Sequence, residues 1–167
     1  QVPIADFAGL DLAPERVIVV ENAKTALAFP AMAGSIVVFG QGYEALRLLE
    51  PVPWLNVSRL YYWGDLDTHG FAILDGLRSV LPGITSVLMD LETLERYRSF
   101  CVEEPRPRTQ PLARLTAAEQ AAFEALVSGA FGASLRLEQE RIPFSALPFA
   151  DLGLGDGNRG QSEPWTV

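Results

Sequence analysis

The sequence predicts a single α/β domain in which a mainly parallel, Rossmann-like sheet is flanked by helices. Short runs of β-branched or aromatic residues, such as residues 17–20 and 60–63, end abruptly in polar or acidic residues. Runs of this length and composition are typical of strands buried in a parallel sheet. They alternate with helical segments, which is the order that β-α-β crossovers require. A length of 167 residues is enough for one well-buried domain and hardly for two.

The first half of the chain begins with an irregular segment and continues as alternating strands and helices. Residues 1–15 are interrupted by proline and glycine, so we expect an N-terminal arm or a linker from a missing upstream domain. Proline ends both predicted helices, because its ring cannot continue the helical hydrogen bonding. The predicted elements are a strand at 16–20, a helix at 23–29, a strand at 35–39, a helix at 43–49 and a strand at 60–63.

The second half is predicted to add three helices and one more strand. Pro82 ends the first of these helices, and Thr116 with Glu119 forms a capping box that starts the last one. Residues 103–111 indicate a loop because they contain three prolines, whereas residues 135–142 fit either a strand or a helix. The predicted elements are a helix at 71–80, a strand at 85–89, a helix at 91–100 and a helix at 117–127.

The composition is that of a globular protein, and the sequence indicates where its folded part begins and ends. Hydrophobic residues make up 49% and charged residues 20% of the sequence, which is not the composition of a disordered chain. We expect the folded domain at residues 16–148 and a flexible, glycine-rich tail at 149–167. The apolar runs are too short to cross a bilayer, and the lone Cys101 suits a reducing compartment. A cytoplasmic protein without membrane association is therefore expected.

Acidic residues follow two of the predicted strands at the point where each strand ends. Glu21 follows the first strand, and Asp65 and Asp67 follow the third. The carboxyl ends of parallel strands meet at one edge of a sheet, so we expect these carboxylates to lie close together. Carboxylates that lie so close together repel one another unless a cation lies between them. A site with oxygen ligands favours Mg²⁺, Mn²⁺ or Ca²⁺. Removing Asp65 or Asp67 is therefore expected to leave the fold intact.

Two other interpretations of the same acids stay open. A turn followed by a helix cap explains an Asp-x-Asp pair without any ligand. Alternatively, the chain is a phosphotransfer or phosphohydrolase domain for small molecules, with Asp65 as its nucleophile. The presence of Glu21 and of His69 argues against this second interpretation. Tyr62 lies within a strand, where packing in the sheet explains it better than a nucleophilic role.

The segments around these acids resemble a known family. Residues 17–22, together with the run Gly-Asp-Leu-Asp-Thr-His-Gly at 64–70, resemble the Toprim domain, the acidic metal-binding fold of topoisomerases, primases and some nucleases. The second run is similar to the Toprim domain of the topoisomerase VI A subunit. With residues 137–143, the chain is similar to the C-terminal domain of the nuclease subunit of the Wadjet bacterial anti-plasmid system. The resemblance covers about residues 15–148 and implies a Toprim-like fold.

The resemblance assigns roles to the acidic residues. Glu21 matches the Toprim glutamate, a metal ligand or general acid and base, and Asp65 and Asp67 match the Asp-x-Asp ligands of Mg²⁺ or Mn²⁺. Glu138 and Glu140 fall where further acids complete a second metal position. Separately from the resemblance, His69 is a candidate for contacting the scissile phosphate or capping the next helix. Lys24 is a candidate phosphate contact or a solvated surface lysine.

The resemblance also implies a function and its partners. It implies a metal-dependent endonuclease that hydrolyses double-stranded DNA together with subunits of an SMC-type ATPase complex, with a homodimer of the full-length chain as a further expectation. Topoisomerase relatives attack DNA with a tyrosine on a separate winged-helix domain, for which these 167 residues leave no room. A net charge of −8 argues against DNA binding through a basic surface of this chain. DNA would then be bound by other domains or subunits. The alternative is a catalytically silent docking module for DNA or SMC-type partners.

Overall fold

Four parallel strands form the central sheet of the computed structural model, which describes residues 4–149. They are β1 (Arg16–Val20), β2 (Ser35–Phe39), β3 (Arg59–Trp63) and β4 (Thr85–Ser86). Their order across the sheet is β2-β1-β3-β4, so β1 and β3 are neighbours. This sheet and the helices around it confirm the predicted fold class, an α/β domain with a parallel sheet flanked by helices.

Helices connect the strands and pack on the sheet and on each other. In the described part of the chain they are α1 (Ile4–Ala8), α2 (Ala23–Ala28), α3 (Glu44–Leu49), α4 (Thr68–Val80), α5 (Leu91–Arg96) and α6 (Ala117–Ser128). The longest, α4, buries Phe71, Leu74 and Leu77 and packs against α3 and α6. The predicted capping box is present at the start of α6, where Thr116 and Glu119 hold each other's backbone N–H groups.

The register of the sheet aligns the carboxyl ends of neighbouring strands. Val20, the last residue of β1, pairs with Phe39 on one side and with Trp63 on the other. All five residues of β1 are buried, as expected for a strand inside a parallel sheet. The chain segments that follow β1 and β3 therefore emerge side by side at the same edge.

Two elements are shorter than the sequence indicates. The fourth strand was expected at 85–89, but β4 ends at Ser86 because Leu88 adopts a positive φ of 57° and interrupts the extended backbone. The helix expected at 91–100 ends at Arg96, and a separate 3-10 turn, Arg98–Phe100, follows it.

A small antiparallel pair brings the C-terminal segment to the end of β3. β5 (Val102–Glu103) pairs with β6 (Leu135–Arg136). The next residue, Leu137, exchanges two backbone hydrogen bonds with Leu66, of 2.9 and 3.2 Å. A 3-10 turn, Gln139–Arg141, completes the segment for which the sequence left strand and helix open.

The described residues include most of the N-terminal segment but almost none of the expected C-terminal tail. The N-terminal segment contains α1, whose Phe7 ring packs edge-on against Trp54 at 5.1 Å between ring centroids. The expected tail at 149–167 lies outside the described residues, apart from Phe149. Among the helices of residues 4–149, none has the length and apolar character needed to span a membrane.

Candidate functional site

Two acidic residues meet where β1 and β3 end. Glu21 directly follows β1, and its backbone N–H donates to the carbonyl oxygen of Trp63 at 3.3 Å. The backbone N–H of Asp65 donates to Oε2 of Glu21 at 3.2 Å, and the Tyr62 hydroxyl donates to the same oxygen at 3.1 Å. The structure therefore brings Glu21 and Asp65 together, as the order of the strands led us to expect.

Glycine permits this close approach at two positions of the 64–70 run. A side chain at Gly64 would overlap the Tyr62 hydroxyl and press on the carboxylate of Glu21. A side chain at Gly70 would overlap the carbonyl oxygen of Asp65. Both glycines are thus explained by the space that the acidic site leaves, without any need for an unusual backbone conformation.

Burial at the edge of the sheet, together with the charges of neighbouring acids, raises the pKa of Glu21 and of Asp65. Burial and the nearby charges of Asp65 and Asp67 raise the pKa of Glu21 to about 7. Burial raises the pKa of Asp65 to about 6, with a further contribution from the charge of Asp67. A hydrogen bond from the Gln139 backbone and the charge of Arg136 oppose this rise at Asp65. The carboxylates of the site therefore carry more negative charge than the surrounding hydrogen-bond donors and Arg136 compensate.

Asp67 lies deeper in the fold than the other two acids and has protein partners at both oxygens. Its side chain is 1% exposed and caps α4, since Oδ1 accepts a hydrogen bond from Gly70 N–H at 2.7 Å. Its Oδ2 lies 2.6 Å from Nε of Arg136, which projects from β6. The helix-cap interpretation of the Asp-x-Asp pair is thus correct for Asp67.

Gln139 connects the ends of β1 and β3 and orients Asp65. This fully buried side chain donates through Nε2 to the carbonyl oxygen of Trp63 at 2.6 Å and accepts from Asn22 N–H at 3.2 Å. Its backbone N–H donates to Oδ1 of Asp65 at 2.8 Å. One residue of the C-terminal segment therefore fixes both strand ends and one of the acids.

His69 is held by two protein groups at the start of α4. Its Nε2 lies 3.0 Å from the carbonyl oxygen of Arg106, which can only accept, so Nε2 carries the proton. In neutral His69, Nδ1 then accepts from the Tyr43 hydroxyl at 2.9 Å. The imidazole therefore joins the loop before α3 to the loop around Arg106.

A further buried acid, Glu104, lies under the start of α4. Its Oε1 accepts from the backbone N–H and the hydroxyl of Thr68, at 3.1 and 2.6 Å. Its Oε2 is buried and has no hydrogen-bond partner among the described residues. Burial raises the pKa of Glu104. The same Thr68 hydroxyl accepts from Arg108 N–H at 2.6 Å, so Thr68 ties the proline-rich loop to the site.

The remaining candidate residues differ in how close they come to the acids. Glu140 lies at the edge of the site: it accepts from Nδ2 of Asn22 at 2.6 Å, and its charge raises the pKa of Asp65. Glu138 instead pairs with Arg141 at 3.4 Å. Lys24 is exposed in the first turn of α2, and its backbone N–H donates to the Asn22 side chain at 2.8 Å.

With this arrangement established, comparison with known proteins gives a family. A family model described as "Wadjet protein JetD, C-terminal" matches residues 1–149. This chain belongs to the JetD C-terminal family. Membership connects it with the Wadjet system, and the acidic edge of the sheet is the candidate site of a JetD C-terminal domain. No curated protein matches the sequence.

The described residues at this edge offer carboxylate oxygens to a cation but form no enclosed metal cage. Within residues 4–149, no group of three or more histidine, cysteine, aspartate or glutamate side chains is arranged to hold a metal ion. Two carboxylate oxygens, Oε1 of Glu21 and Oδ2 of Asp65, accept no hydrogen bond from the described residues. Mg²⁺ is commonly bound by one or two carboxylates and completes its shell with water and substrate phosphate. This JetD-family site therefore has a donor set suited to such an ion.

Three residues of the site were not found by the sequence analysis. Arg136, Gln139 and Glu104 reach it from β6, from the 3-10 turn and from the proline-rich loop. The segment around Gln139 drew attention only for its two flanking glutamates. No local pattern indicates that the amide between them faces inward, because that orientation depends on the backbone pairing of Leu66 with Leu137.

Proposed function

We propose that this chain is the Toprim-type cleavage module of a Wadjet complex, a Mg²⁺- or Mn²⁺-dependent endonuclease that hydrolyses double-stranded DNA. The observation that carries the proposal is the contact between Glu21 and Asp65 at adjacent strand ends, where each keeps a carboxylate oxygen available to a cation. Membership of the JetD C-terminal family supports the cellular setting. SMC-type ATPase subunits are the proposed partners, and a homodimer of the full-length chain is proposed as the assembly.

Each residue of the site has a definite part in this proposal. Glu21 and Asp65 hold the cation, which when bound would neutralise phosphate charge and lower the pKa of a coordinated water. The Tyr62 hydroxyl orients Glu21, and the Gln139 backbone orients Asp65. His69, at the start of α4, is the proposed contact for a phosphate of the bound strand, and the phosphate would replace one of its two protein partners.

Because this chain is acidic, the proposal includes other protein segments that help it to bind DNA. With a net charge of −8, the chain lacks the excess of Lys and Arg that neutralises phosphates in DNA-binding domains. We therefore assign DNA binding to the upstream part of the protein and to its partner subunits. This chain supplies the acidic edge of the sheet, where the metal ion and the scissile phosphodiester bond would bind.

A cleavage assay on the complete protein with its partner subunits tests the proposal. We expect Asp65→Asn to reduce Mg²⁺-dependent cleavage of plasmid DNA to background, because it removes a ligand charge while keeping an oxygen for the Gln139 hydrogen bond. Glu95→Gln, an exposed change of the same kind on α5, serves as the control and leaves cleavage unchanged. Undiminished cleavage by Asp65→Asn would contradict the proposal.

The alternative, a catalytically silent docking module, is favoured by one observation. Arg136 already neutralises Asp67, so the described residues leave only two of the three expected acids available. A silent module would assemble with the SMC-type partners while neither it nor its Asp65→Asn variant bound Mn²⁺. Binding of Mn²⁺ that disappears in Asp65→Asn would exclude this alternative.

A further inference from the structure

Asp67 has both carboxylate oxygens engaged by the protein, although it is one of the three acids that the Asp-x-Asp pattern offers to metal. Oδ1 caps α4 through Gly70 N–H at 2.7 Å, and Oδ2 contacts Nε of Arg136 at 2.6 Å. The carboxylate is 1% exposed. A metal ion at Asp67 would therefore have to displace a guanidinium that is always charged at physiological pH.

Arg136 is fixed in this position by the fold. Its backbone pairs with Val102 in the β5–β6 ladder, and its neighbour Leu137 exchanges two hydrogen bonds with Leu66, the residue between the two aspartates. Leu137 is fully buried. The side chain of Arg136 thus extends from the same backbone segment that positions Asp65 and Asp67, and its guanidinium can turn away from Asp67 only by giving up the 2.6 Å ion pair.

The other two acids have a different environment. Oδ2 of Asp65 lies 4.0 Å from Nε of Arg136, which is outside hydrogen-bonding distance, and Oε1 of Glu21 accepts no hydrogen bond from the described residues. One divalent ion at these two oxygens, together with the Arg136 guanidinium, balances the charges of the three carboxylates. Two further acids lie nearby: Glu140 is exposed, so water screens its charge, and burial raises the pKa of Glu104, which favours its uncharged form.

We propose that Arg136 takes the place of a second metal ion, so that the site holds a single divalent cation at Glu21 and Asp65. The inference rests on the metal site of the proposed function and specifies its stoichiometry. In this arrangement Asp67 acts through Arg136 and through the cap of α4, and it is a positioning residue. Arg136 in turn supplies, as a permanent part of the protein, one positive charge at the place where a second divalent cation would bring two.

Calorimetric titration of the metal-free, 167-residue chain with Mn²⁺ tests this arrangement without any DNA or activity measurement. We expect one Mn²⁺ per chain for the wild type and two for Arg136→Gln, because the substitution frees Oδ2 of Asp67. Asp67→Asn keeps the helix cap and is expected to retain one Mn²⁺. Asp65→Asn is expected to bind none.

A matched control separates the local effect from a general change in charge. Arg141→Gln removes the same charge five positions away, from a half-exposed side chain that contacts Glu138, and is expected to keep one Mn²⁺. Circular dichroism spectra establish that each variant is folded, and if Arg136→Gln does not fold, the wild type and Asp67→Asn still decide the question.

The outcomes distinguish failure of the inference from failure of the proposed function. Two Mn²⁺ ions in the wild type, one in folded Arg136→Gln, or loss of binding in Asp67→Asn would overturn the role of Arg136 and leave the metal site standing. No binding by the wild type or by any variant would overturn both.

Discussion

The backbone N–H of Asp65 donates a hydrogen bond to Oε2 of Glu21 at 3.2 Å, across a sequence separation of 44 residues. This contact joins the end of β1 to the turn that follows β3. It keeps the two carboxylates close enough for the charge of Asp65 to add to the effect of burial in raising the pKa of Glu21, which separate surface acids would not do. The properties of the site should therefore respond to changes at either strand end.

Replacing Asp67 should cost more stability than replacing Asp65. Asp67→Ala removes the cap of α4 and leaves Arg136 without its 2.6 Å partner, so we expect the free energy of unfolding to fall by about 2–3 kcal/mol. Asp65→Ala removes a repelled carboxylate and should change the free energy of unfolding by less than about 1 kcal/mol. Urea unfolding in EDTA measures both values.

This result would revise the sequence-based expectation that either aspartate can be removed without harm. Asp67→Asn retains a capping oxygen and should lie between the wild type and Asp67→Ala. Equal stability of Asp67→Ala and the wild type would show that the pair with Arg136 contributes little.

Glu21 should destabilise the metal-free protein as the pH rises. Its pKa is raised from 4.5 to about 7, so the folded state binds the proton more tightly than the unfolded state and loses stability between pH 4.5 and about 7. Glu21→Gln removes this loss, and we expect it to be more stable than the wild type by about 1–2 kcal/mol at pH 8. At pH 4 the difference should disappear.

Urea unfolding at the two pH values in EDTA measures this difference. The exposed Glu95→Gln on α5 provides the matched control and should show no such dependence. If Glu21→Gln were no more stable than the wild type at pH 8, the crowding of charge at this edge would be relieved in solution.

Glu119 should have the opposite pH dependence. This buried carboxylate accepts from the Arg78 guanidinium and from the Ser86 hydroxyl at 2.5 Å. Burial alone would raise its pKa, but these hydrogen bonds lower it from 4.5 to about 2. The stabilisation it provides is complete above pH 4.5 and is lost as the pH falls through about 2.

We therefore expect Glu119→Gln to lower the free energy of unfolding by about 2–3 kcal/mol at pH 7, because it leaves the buried Arg78 charge unpaired. The loss should shrink as the pH falls below 4.5 and wild-type Glu119 itself becomes protonated. Chemical unfolding as a function of pH measures it, with Glu124→Gln on the exposed side of α6 as the control. A loss that did not vary with pH would count against the charged pair.

Gln139 should be needed for both stability and metal affinity. Gln139→Leu removes the partner of the Asn22 N–H and the shorter of the two hydrogen bonds to the Trp63 carbonyl oxygen, so we expect the free energy of unfolding to fall by about 2–3 kcal/mol. Since the strand ends then lose one of the contacts that join them, Mn²⁺ binding should weaken as well. Thermal unfolding and calorimetry measure the two effects.

The comparison for this variant is Gln120→Leu on α6, whose side-chain amide contacts only the exposed Glu124. It should change stability by less than about 0.5 kcal/mol. Wild-type metal affinity in Gln139→Leu would mean that Glu21 and Asp65 keep their positions without the amide.

The parallel sheet and the meeting of Glu21 with Asp65 at its edge could be predicted from the sequence, whereas the strand order was seen only in the structure. Both follow from local patterns: apolar runs that form buried strands, and acids placed at the ends of those runs. The capping box of α6 is equally local, since its two partners lie three residues apart. Patterns of this kind depend only on neighbouring residues, so one sequence is sufficient to find them.

The partners of the acids were decided by the tertiary structure. Arg136 and Gln139 reach the site because β6 and the following turn pair with backbone segments far away in the chain, through Leu137 with Leu66. Backbone pairing depends on geometry rather than on side-chain identity, so no pattern around Arg136 distinguishes it from a surface arginine. The sequence by itself therefore determined that Glu21 and Asp65 meet at the edge of the sheet. Only the fold decided that Asp67 faces a guanidinium while Glu21 and Asp65 keep oxygens available, because burial and long-range pairing set the partners of a charge.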